Sequence, residues 1–311
     1  MVMTFTPLIL SGKTAPRLGL GTWALGGGKD WGEPDGQDAV NTVHAALDAG
    51  ICLIDTAPAY GWGRAEELLA RALKGRRQQV LLADKCGIVL NKDGRPDHDL
   101  RPESILAQCD ASLSRLQTDY LDIYLIHWPD PKVPLSDALG ALERLKEQGK
   151  IRALGLCNVS ADLLVSAAAQ ASVACVQNPL SLLDNKQEKV LAACAEKKIP
   201  FMAYGALGGG ILSGKYRKEP NFRRSDARRY FYPYYRGESF SRAQGVAARI
   251  KELASQKDCA ASAVALAWAL GRGGVSGVLF GARCVRQVQE NAAALQIRLT
   301  EQEAEYLEYG H

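Results

Sequence analysis

The sequence predicts a single α/β domain over residues 1–311, folded as a closed (β/α)8 TIM barrel with one long loop after its seventh strand. Three observations lead there. Eight short apolar, β-rich runs recur at 17–20, 51–54, 80–83, 121–126, 151–156, 174–177, 200–203 and 277–280. They are mostly apolar on both faces, as strands covered by other layers on both sides must be. Stretches of helical periodicity separate them, and the 311 residues exceed the about 250 that one such barrel requires.

The helical stretches carry their own punctuation. Residues 35–49 place Ala39, Val43, Ala46 and Leu47 on one face, and Gly50 ends the pattern. Residues 102–116 open on Pro102 and repeat Ile105, Leu106, Cys109, Leu113 and Leu116 at helical spacing. Residues 135–148 stop at Gly149, and 160–170 start on Ser160, a good N-cap. Further helices are expected at 187–197, 241–256, 261–270 and 285–294. The alternative is an open doubly wound sheet. It lacks its signature, because no GxGxxG follows the first strand, and Gly26-Gly27-Gly28 opens no helix. The segment 207–240 breaks the short-loop pattern, and a loop that long in a compact domain is usually a lid or a binding loop.

Composition narrows the class. Apolar residues make up 47% and charged residues 23%, which describes an ordinary soluble globular protein. The net charge of +4 is diffuse apart from Arg223, Arg224, Arg228 and Arg229, so no nucleic-acid partner is expected. No two of the eight cysteines form CxxC, and most sit in apolar runs, as Cys52 and Cys175 do. They read as reduced thiols packing in a cytoplasmic protein. No charged n-region precedes an apolar stretch at the N-terminus, and no apolar run approaches 18 residues, so neither a signal peptide nor a membrane span is expected. The four histidines, His44, His98, His127 and His311, show no ligand spacing, and no metal is expected.

In such a barrel the chemistry lies at the C-terminal ends of the strands. The second strand ends in Asp55, with Tyr60 in the loop beyond; the third ends in Asp84-Lys85; the fourth runs into His127. Each residue alone has a plain structural reading as a turn, cap or packing group. Together they make a proton-transfer set. A free phenol with a pKa of about 10 is a poor acid at neutral pH. An ammonium beside it lowers that pKa, an aspartate holds the ammonium charged, and a histidine orients a carbonyl oxygen.

These residues carry a resemblance. The chain resembles the aldo-keto reductase superfamily over nearly its whole length. Residues 18–23 (LGLGTW) look like that family's opening strand, 55–61 (DTAPAYG) like its tyrosine signature, and 119–129 (DYLDIYLIHWP) like its histidine signature. The resemblance implies that Tyr60 donates the proton, that Asp55 and Lys85 tune it, and that His127 positions the carbonyl. It places Gly21, Thr22 and Trp23 beside a nicotinamide cofactor. The carboxamide falls to Cys157, Asn158 and Gln177, with Cys157 standing where the family usually has serine; a thiol is a weak donor. Tyr204 stacks on the nicotinamide ring. Gly205, Ala206, Leu207 and Gly208, with Gly209 and Gly210 after them, bring backbone N–H groups to the pyrophosphate. Gly281, Ala282, Arg283, Gln287, Glu290 and Asn291 resemble the adenosine segment. Gly281, Ala282 and Gln287 depart from the Lys-Ser and Arg of members strict for the phosphorylated cofactor. Arg283 offers a replacement charge.

The resemblance thus implies an NADP(H)-dependent reductase of aldehydes or ketones, with NAD(H) as the other cofactor. Trp23, Tyr60, His127 and Trp128 would line the pocket for a small-molecule carbonyl substrate. Two alternatives stand beside it: an NAD-dependent sugar dehydrogenase, and a cofactor-binding regulatory subunit, which would not need all four residues of the set.

Overall fold

The computed structural model describes residues 5–10, 12–32 and 36–311. The expected helix start at Asp35, and residues 1–4 at the head of the chain, lie outside these residues. Eight parallel strands close into a barrel: β1 (Leu18–Gly21), β2 (Leu53–Asp55), β3 (Leu81–Cys86), β4 (Ile123–Ile126), β5 (Leu154–Cys157), β6 (Val173–Pro179), β7 (Phe201–Tyr204) and β8 (Val275–Gly281). Neighbours in sequence are neighbours in space, and β8 closes onto β1 through Val278↔Leu18 and Phe280↔Leu20. Around it lie α1 (Gly36–Asp48), α2 (Arg64–Ala72), α3 (Pro102–Leu116), α4 (Leu135–Glu147), α5 (Ala161–Ala168), α6 (Glu188–Lys197), α7 (Gly237–Gln256), α8 (Ala261–Gly271), α9 (Val285–Ala292) and α10 (Glu301–Tyr309).

All eight barrel strands fall where the apolar runs predict, within a few residues. Two full helices are additions to the sequence reading, α2 and α10, and α7 starts four residues early. Single helical turns at Trp23–Gly26, Gly28–Trp31 and Ala227–Tyr230 are additions as well, so the glycine run expected to open no helix does open a four-residue one at Gly28. α2 is nine residues long and carries Arg64, Glu66, Glu67 and Arg71, so its apolar face is a narrow stripe of Leu68, Leu69 and alanines. α10 is held at its start by a capping box, Thr300 with Glu303. Two hairpins were also illegible. Ile9–Leu10 pairs with Lys13–Thr14, and Ile88–Leu90 pairs with Pro96–His98 beyond the top of β3.

Side-chain alternation sorts the core into two layers. Leu53, Leu81, Ala83, Ile123, Leu125, Cys175, Met202 and Leu279 pack together inside the barrel, with Leu8, Leu10 and Ala15 of the first hairpin. The opposite strand faces pack on the helices. Gly19 makes room for its inward neighbours: a Cβ there would stand 2.6 Å from a Leu279 methyl.

The same parity turns Asp84 outward, into the apolar layer between strands and helices. It is fully buried, and so is Glu66, which Arg115 binds through two N–H groups at 2.7 and 3.2 Å. Asp84 accepts the Lys85 backbone N–H at 2.8 Å through Oδ1, while Oδ2, with Ser112 nearby, makes no hydrogen bond of good geometry among the described residues. Burial, then the Glu66 charge, raise its pKa well above the carboxylate range. A folded pKa above the unfolded value of about 3.9 means that stability is lost as pH rises through the interval between the two. Asp84→Asn keeps the Oδ1 acceptor and removes the charge. We expect its melting temperature to exceed that of the unsubstituted chain by a few degrees at pH 8, for about 1–3 kcal/mol of relieved desolvation. The gain should shrink as pH falls towards 4, and thermal melts across pH 4–8 check it.

Candidate active site

Alternation along the strands selects what points into the top of the barrel. On β3, Leu81 and Ala83 face inward, so Lys85 does too; on β2, Leu53 is followed by Asp55; on β4, Ile123 and Leu125 lead to His127. By the same count Cys157 of β5, Gln177 of β6 and Tyr204 of β7 arrive at one level. Tyr60 reaches the group from the loop after β2.

The contacts are short and specific. Lys85 Nζ donates to Asp55 Oδ1 at 2.6 Å, to the Thr56 carbonyl at 2.8 Å and to the Tyr60 hydroxyl at 3.2 Å. All three ammonium donors are thereby spent. Asp55 and Lys85 are buried; Tyr60 and His127 are partly open to the cavity. Gln177 Nε2 donates to Asp55 Oδ2 at 3.0 Å, and the Cys157 thiol donates to Gln177 Oε1 at 3.5 Å. The His127 ring stands edge-on to Tyr60 with centroids 5.8 Å apart. Asn158, at φ 57°, donates from Nδ2 to the His127 carbonyl at 2.8 Å and accepts from the Tyr204 hydroxyl at 2.5 Å.

Electrostatics modify one expectation. Lys85 does pull the Tyr60 pKa down, but burial raises it by more, and Asp55 adds to the rise. The net shift is upward, so Tyr60 keeps its proton throughout the neutral range. His127 moves the other way. Burial, then Lys85 and His98, hold its pKa well below 6.5, so the imidazole is neutral at pH 7. Lys85 stays charged, because Asp55 and the other partners outweigh its desolvation.

These groups form the floor of a cavity of about 790 Å³. It is lined by Gly21, Trp23, Asp55, Tyr60, Lys85, His127, Trp128, Cys157, Asn158, Gln177, Tyr204, Gly205, Ala206, Leu207, Gly281, Ala282, Arg283, Gln287, Glu290 and Asn291. Two expected lining residues are elsewhere. Thr22 is fully buried and donates through Oγ1 to the Asp55 carbonyl at 3.0 Å, so it braces β2 from behind. Gly208 is buried under the loop, where its carbonyl accepts from the Tyr235 hydroxyl at 3.3 Å.

Gly209 and Gly210, which continue the glycine run expected at the pyrophosphate, also line the cavity. It further holds residues that the sequence reading does not reach: Ser213, Lys215 and Arg286, with 260–262 at the start of α8. Lys215 follows the glycine run closely enough that the run could have flagged it. Gly209 has φ 68°, and a Cβ there would meet the Tyr232 ring at 2.7 Å, so only glycine lets the loop pass under that ring. At the adenosine-like end Gln287 accepts the Arg283 backbone N–H at 2.8 Å, and Arg286 pairs with Glu290 at 3.2 Å.

Part of the long loop closes one wall. Tyr230 donates to Asp30 Oδ1 at 2.8 Å, and Trp23 Nε1 donates to Asp30 Oδ2 at 3.2 Å. Trp23 stacks near Tyr60 with centroids 6.0 Å apart and meets Phe231 edge-on at 5.1 Å. Arg228, bound by Asp226 at 2.6 Å, lies over the Trp31 ring at 5.2 Å. One carboxylate therefore ties the loop to the pocket wall. Asp30→Ala should loosen residues 223–232 and speed tryptic cleavage at Arg223, Arg224, Arg228 or Arg229 several-fold, while cleavage elsewhere keeps its rate. Timed limited proteolysis with mass mapping reads this out.

Comparison with known proteins bears on this geometry. The family model described as "Aldo/keto reductase family" matches residues 17–309. The chain is 37% identical over 291 residues to Aldo-keto reductase YhdN of Bacillus subtilis, covering 92% of this chain and 87% of that one. It is 35% identical over 315 residues to the NADH-specific methylglyoxal reductase of Escherichia coli, covering 96% and 95%. The structure superimposes on a glycerol dehydrogenase from Gluconobacter oxydans with a TM-score of 0.87 at 35% identity, covering 97% and 94%. An aldo-keto reductase from Klebsiella pneumoniae, solved with NADPH, superimposes with a TM-score of 0.74 at 28% identity, covering 99% and 94%.

Proposed function

The chain belongs to the aldo/keto reductase family, and from that premise we propose that it reduces the carbonyl group of a small aldehyde or ketone, with Tyr60 as proton donor. The observation that carries this reading is the contact of the Tyr60 hydroxyl, at the cavity floor, with the buried Lys85 Nζ at 3.2 Å. The proton on Tyr60 is held there at neutral pH, as a donor in the reducing direction needs. The carbonyl oxygen sits between Tyr60 and the neutral His127, each within reach of one lone pair. As charge develops on that oxygen, the hydroxyl proton of Tyr60 moves to it, and the adjacent Lys85 ammonium stabilises the phenolate left behind. Asp55 keeps Lys85 in place and charged.

The donor set of the cavity fits a nicotinamide dinucleotide. Asn158 and Gln177 present amides at the reacting end, and the Tyr204 ring lines the same wall. Gly205, Gly209 and Gly210 expose backbone midway, with Lys215 beside them, and Arg283 and Arg286 stand at the far end. When bound, such a cofactor supplies the hydride for the carbonyl carbon. We favour NADPH, because the far end of the cavity offers the Arg283 guanidinium to a 2′-phosphate, with Arg286 beside it on Glu290. The NADH-specific Escherichia coli relative makes NADH the competing choice. A second reading, oxidation of a polyol or sugar by the same residues in reverse, draws on the glycerol dehydrogenase likeness.

Two outcomes test this. In a panel of carbonyl substrates, Tyr60→Phe should lower kcat by about 10²–10⁴-fold while cofactor Kd stays within a few-fold. Near-normal turnover removes Tyr60 from the chemistry. Arg283→Ala should weaken NADPH about ten- to a hundredfold, as the loss of a charge-assisted bond of about 1.5–3 kcal/mol implies, and leave NADH nearly untouched. Fluorescence titration of both cofactors measures the contrast. Equal weakening of the two would assign Arg283 another role.

A further inference from the structure

Gln177 makes two hydrogen bonds that a cofactor ligand does not require. Its Nε2 donates to Asp55 Oδ2 at 3.0 Å, and its Oε1 accepts from Cys157 Sγ at 3.5 Å. The other oxygen of the same carboxylate holds Lys85 at 2.6 Å, and Lys85 reaches Tyr60 at 3.2 Å. A chain of four contacts therefore runs from β5 through β6, β2 and β3 to the Tyr60 hydroxyl. We propose that Gln177 is a positioning residue for proton donation: supported by the Cys157 thiol, its amide fixes the Asp55 carboxylate, and with it Lys85, against Tyr60. This rests on the reductase reading and goes beyond it, since it gives Gln177 and Cys157 work on the proton side of the reaction.

The physical case is one of satisfied partners. Gln177 and Cys157 are buried, at 4% and 1% exposure. A buried carboxylate oxygen without a donor is costly, and Asp55 Oδ2 has no other hydrogen bond among the described residues. The amide itself is symmetric enough to be turned over. The Asp55 carboxylate settles this, because it only accepts and so requires the NH2 on its side, which leaves Oε1 of Gln177 to take the weak S–H donor of Cys157. With Oδ2 held, rotation about the Asp55 carboxylate is blocked and Oδ1 stays under Lys85. The second N–H and the second lone pair of the Gln177 amide remain available to the cofactor carboxamide, so one side chain can serve both.

Tyr60 is faced by Lys85 of β3, Asp55 of β2, His127 after β4, Cys157 of β5, Tyr204 of β7 and Tyr232 of the long loop. Asp55 raises the Tyr60 pKa. The amide donor from Gln177 offsets part of that negative charge. Removing it exposes Tyr60 to the full carboxylate, and the Tyr60 pKa rises. A phenol harder to ionise and a Lys85 no longer held in place both slow proton transfer, so kcat falls and proton transfer comes to limit it more.

The experiment compares Gln177→Leu, Cys157→Ala and Cys157→Ser with the unsubstituted enzyme. Carbonyl reduction is followed at pH 7 in H2O and in D2O with kcat and KM separated, and cofactor Kd is measured by fluorescence on protein without substrate. Gln177→Leu is expected to lower kcat about tenfold and to raise the solvent deuterium isotope effect on kcat, with cofactor Kd weakened by no more than about tenfold, as loss of the amide contacts to the cofactor implies. Cys157→Ala should move kcat and the isotope effect in the same directions by less. Cys157→Ser, which keeps a donor, should return both towards the unsubstituted values. A large loss of cofactor affinity with kcat and the isotope effect unmoved would make Gln177 a cofactor ligand only and overturn the proposal. So would Cys157→Ala values identical to those of the unsubstituted enzyme, a result that remains readable if Gln177→Leu does not fold. Absence of carbonyl reduction by the unsubstituted enzyme with either cofactor would instead sink the reductase reading.

Discussion

The ion pair between Lys85 and Asp55 is the constraint on which the rest of the site depends. Both groups are almost fully buried, and taking two charges out of water costs several kcal/mol apiece unless each finds a complete set of partners. The barrel supplies them. Thr56 gives a carbonyl, Tyr60 a hydroxyl, Gln177 an amide, and Thr22 braces the backbone of Asp55 from behind. Loss of one member leaves a buried charge uncompensated, so the pair, the tyrosine and the amide behave as one unit. Closure of the barrel makes this possible, because strands from opposite sides of the sheet deliver their ends to one small volume.

Parity explains why so much of the site is legible in the sequence. Once the apolar runs are read as parallel strands ending at a common rim, every second residue points inward. Asp55, Lys85 and His127 then converge without any coordinates. The same rule sends Asp84 outward, one residue from Lys85, into an apolar layer where its charge is a burden. Two adjacent polar residues on one strand thus have opposite consequences, and the strand period alone separates them. Helix α2 escaped notice for a related reason. Its charged residues dilute the apolar stripe, and packing against the barrel, more than propensity, holds it.

What the sequence hides is long-range pairing between loops. Nothing in the run around Asp30 points to Tyr230, two hundred residues away, and each sits in a four-residue helical turn too short to show a period in the sequence. The carboxylate has two oxygens and meets two donors, the indole of Trp23 and the phenol of Tyr230, which is a match of geometry with no sequence pattern behind it. The basic cluster at 223–229 is readable as composition. Its use is not, because Arg228 turns inward to Asp226 and the Trp31 ring and contributes no surface charge of the kind the cluster suggests. The orientation of the Gln177 amide is hidden in the same way: it follows from a carboxylate on the far side of the barrel and is supported by a thiol on the neighbouring strand.

The balance of terms on Tyr60 shows why composition of a site does not determine its chemistry. An ammonium at hydrogen-bond distance argues for an acidic phenol, and in water it would produce one. In the barrel the same burial that strengthens the Lys85 contact also penalises the phenolate, and Asp55, which keeps Lys85 charged, repels the phenolate as well. The result is a phenol that holds its proton until charge appears on an oxygen beside it. At that moment the order of stability reverses, since the developing oxyanion is the stronger base and the ammonium is already in place to receive the phenolate. Lys85 therefore acts on the state in which the proton is leaving more than on the resting state, which is where a catalytic interaction is worth most.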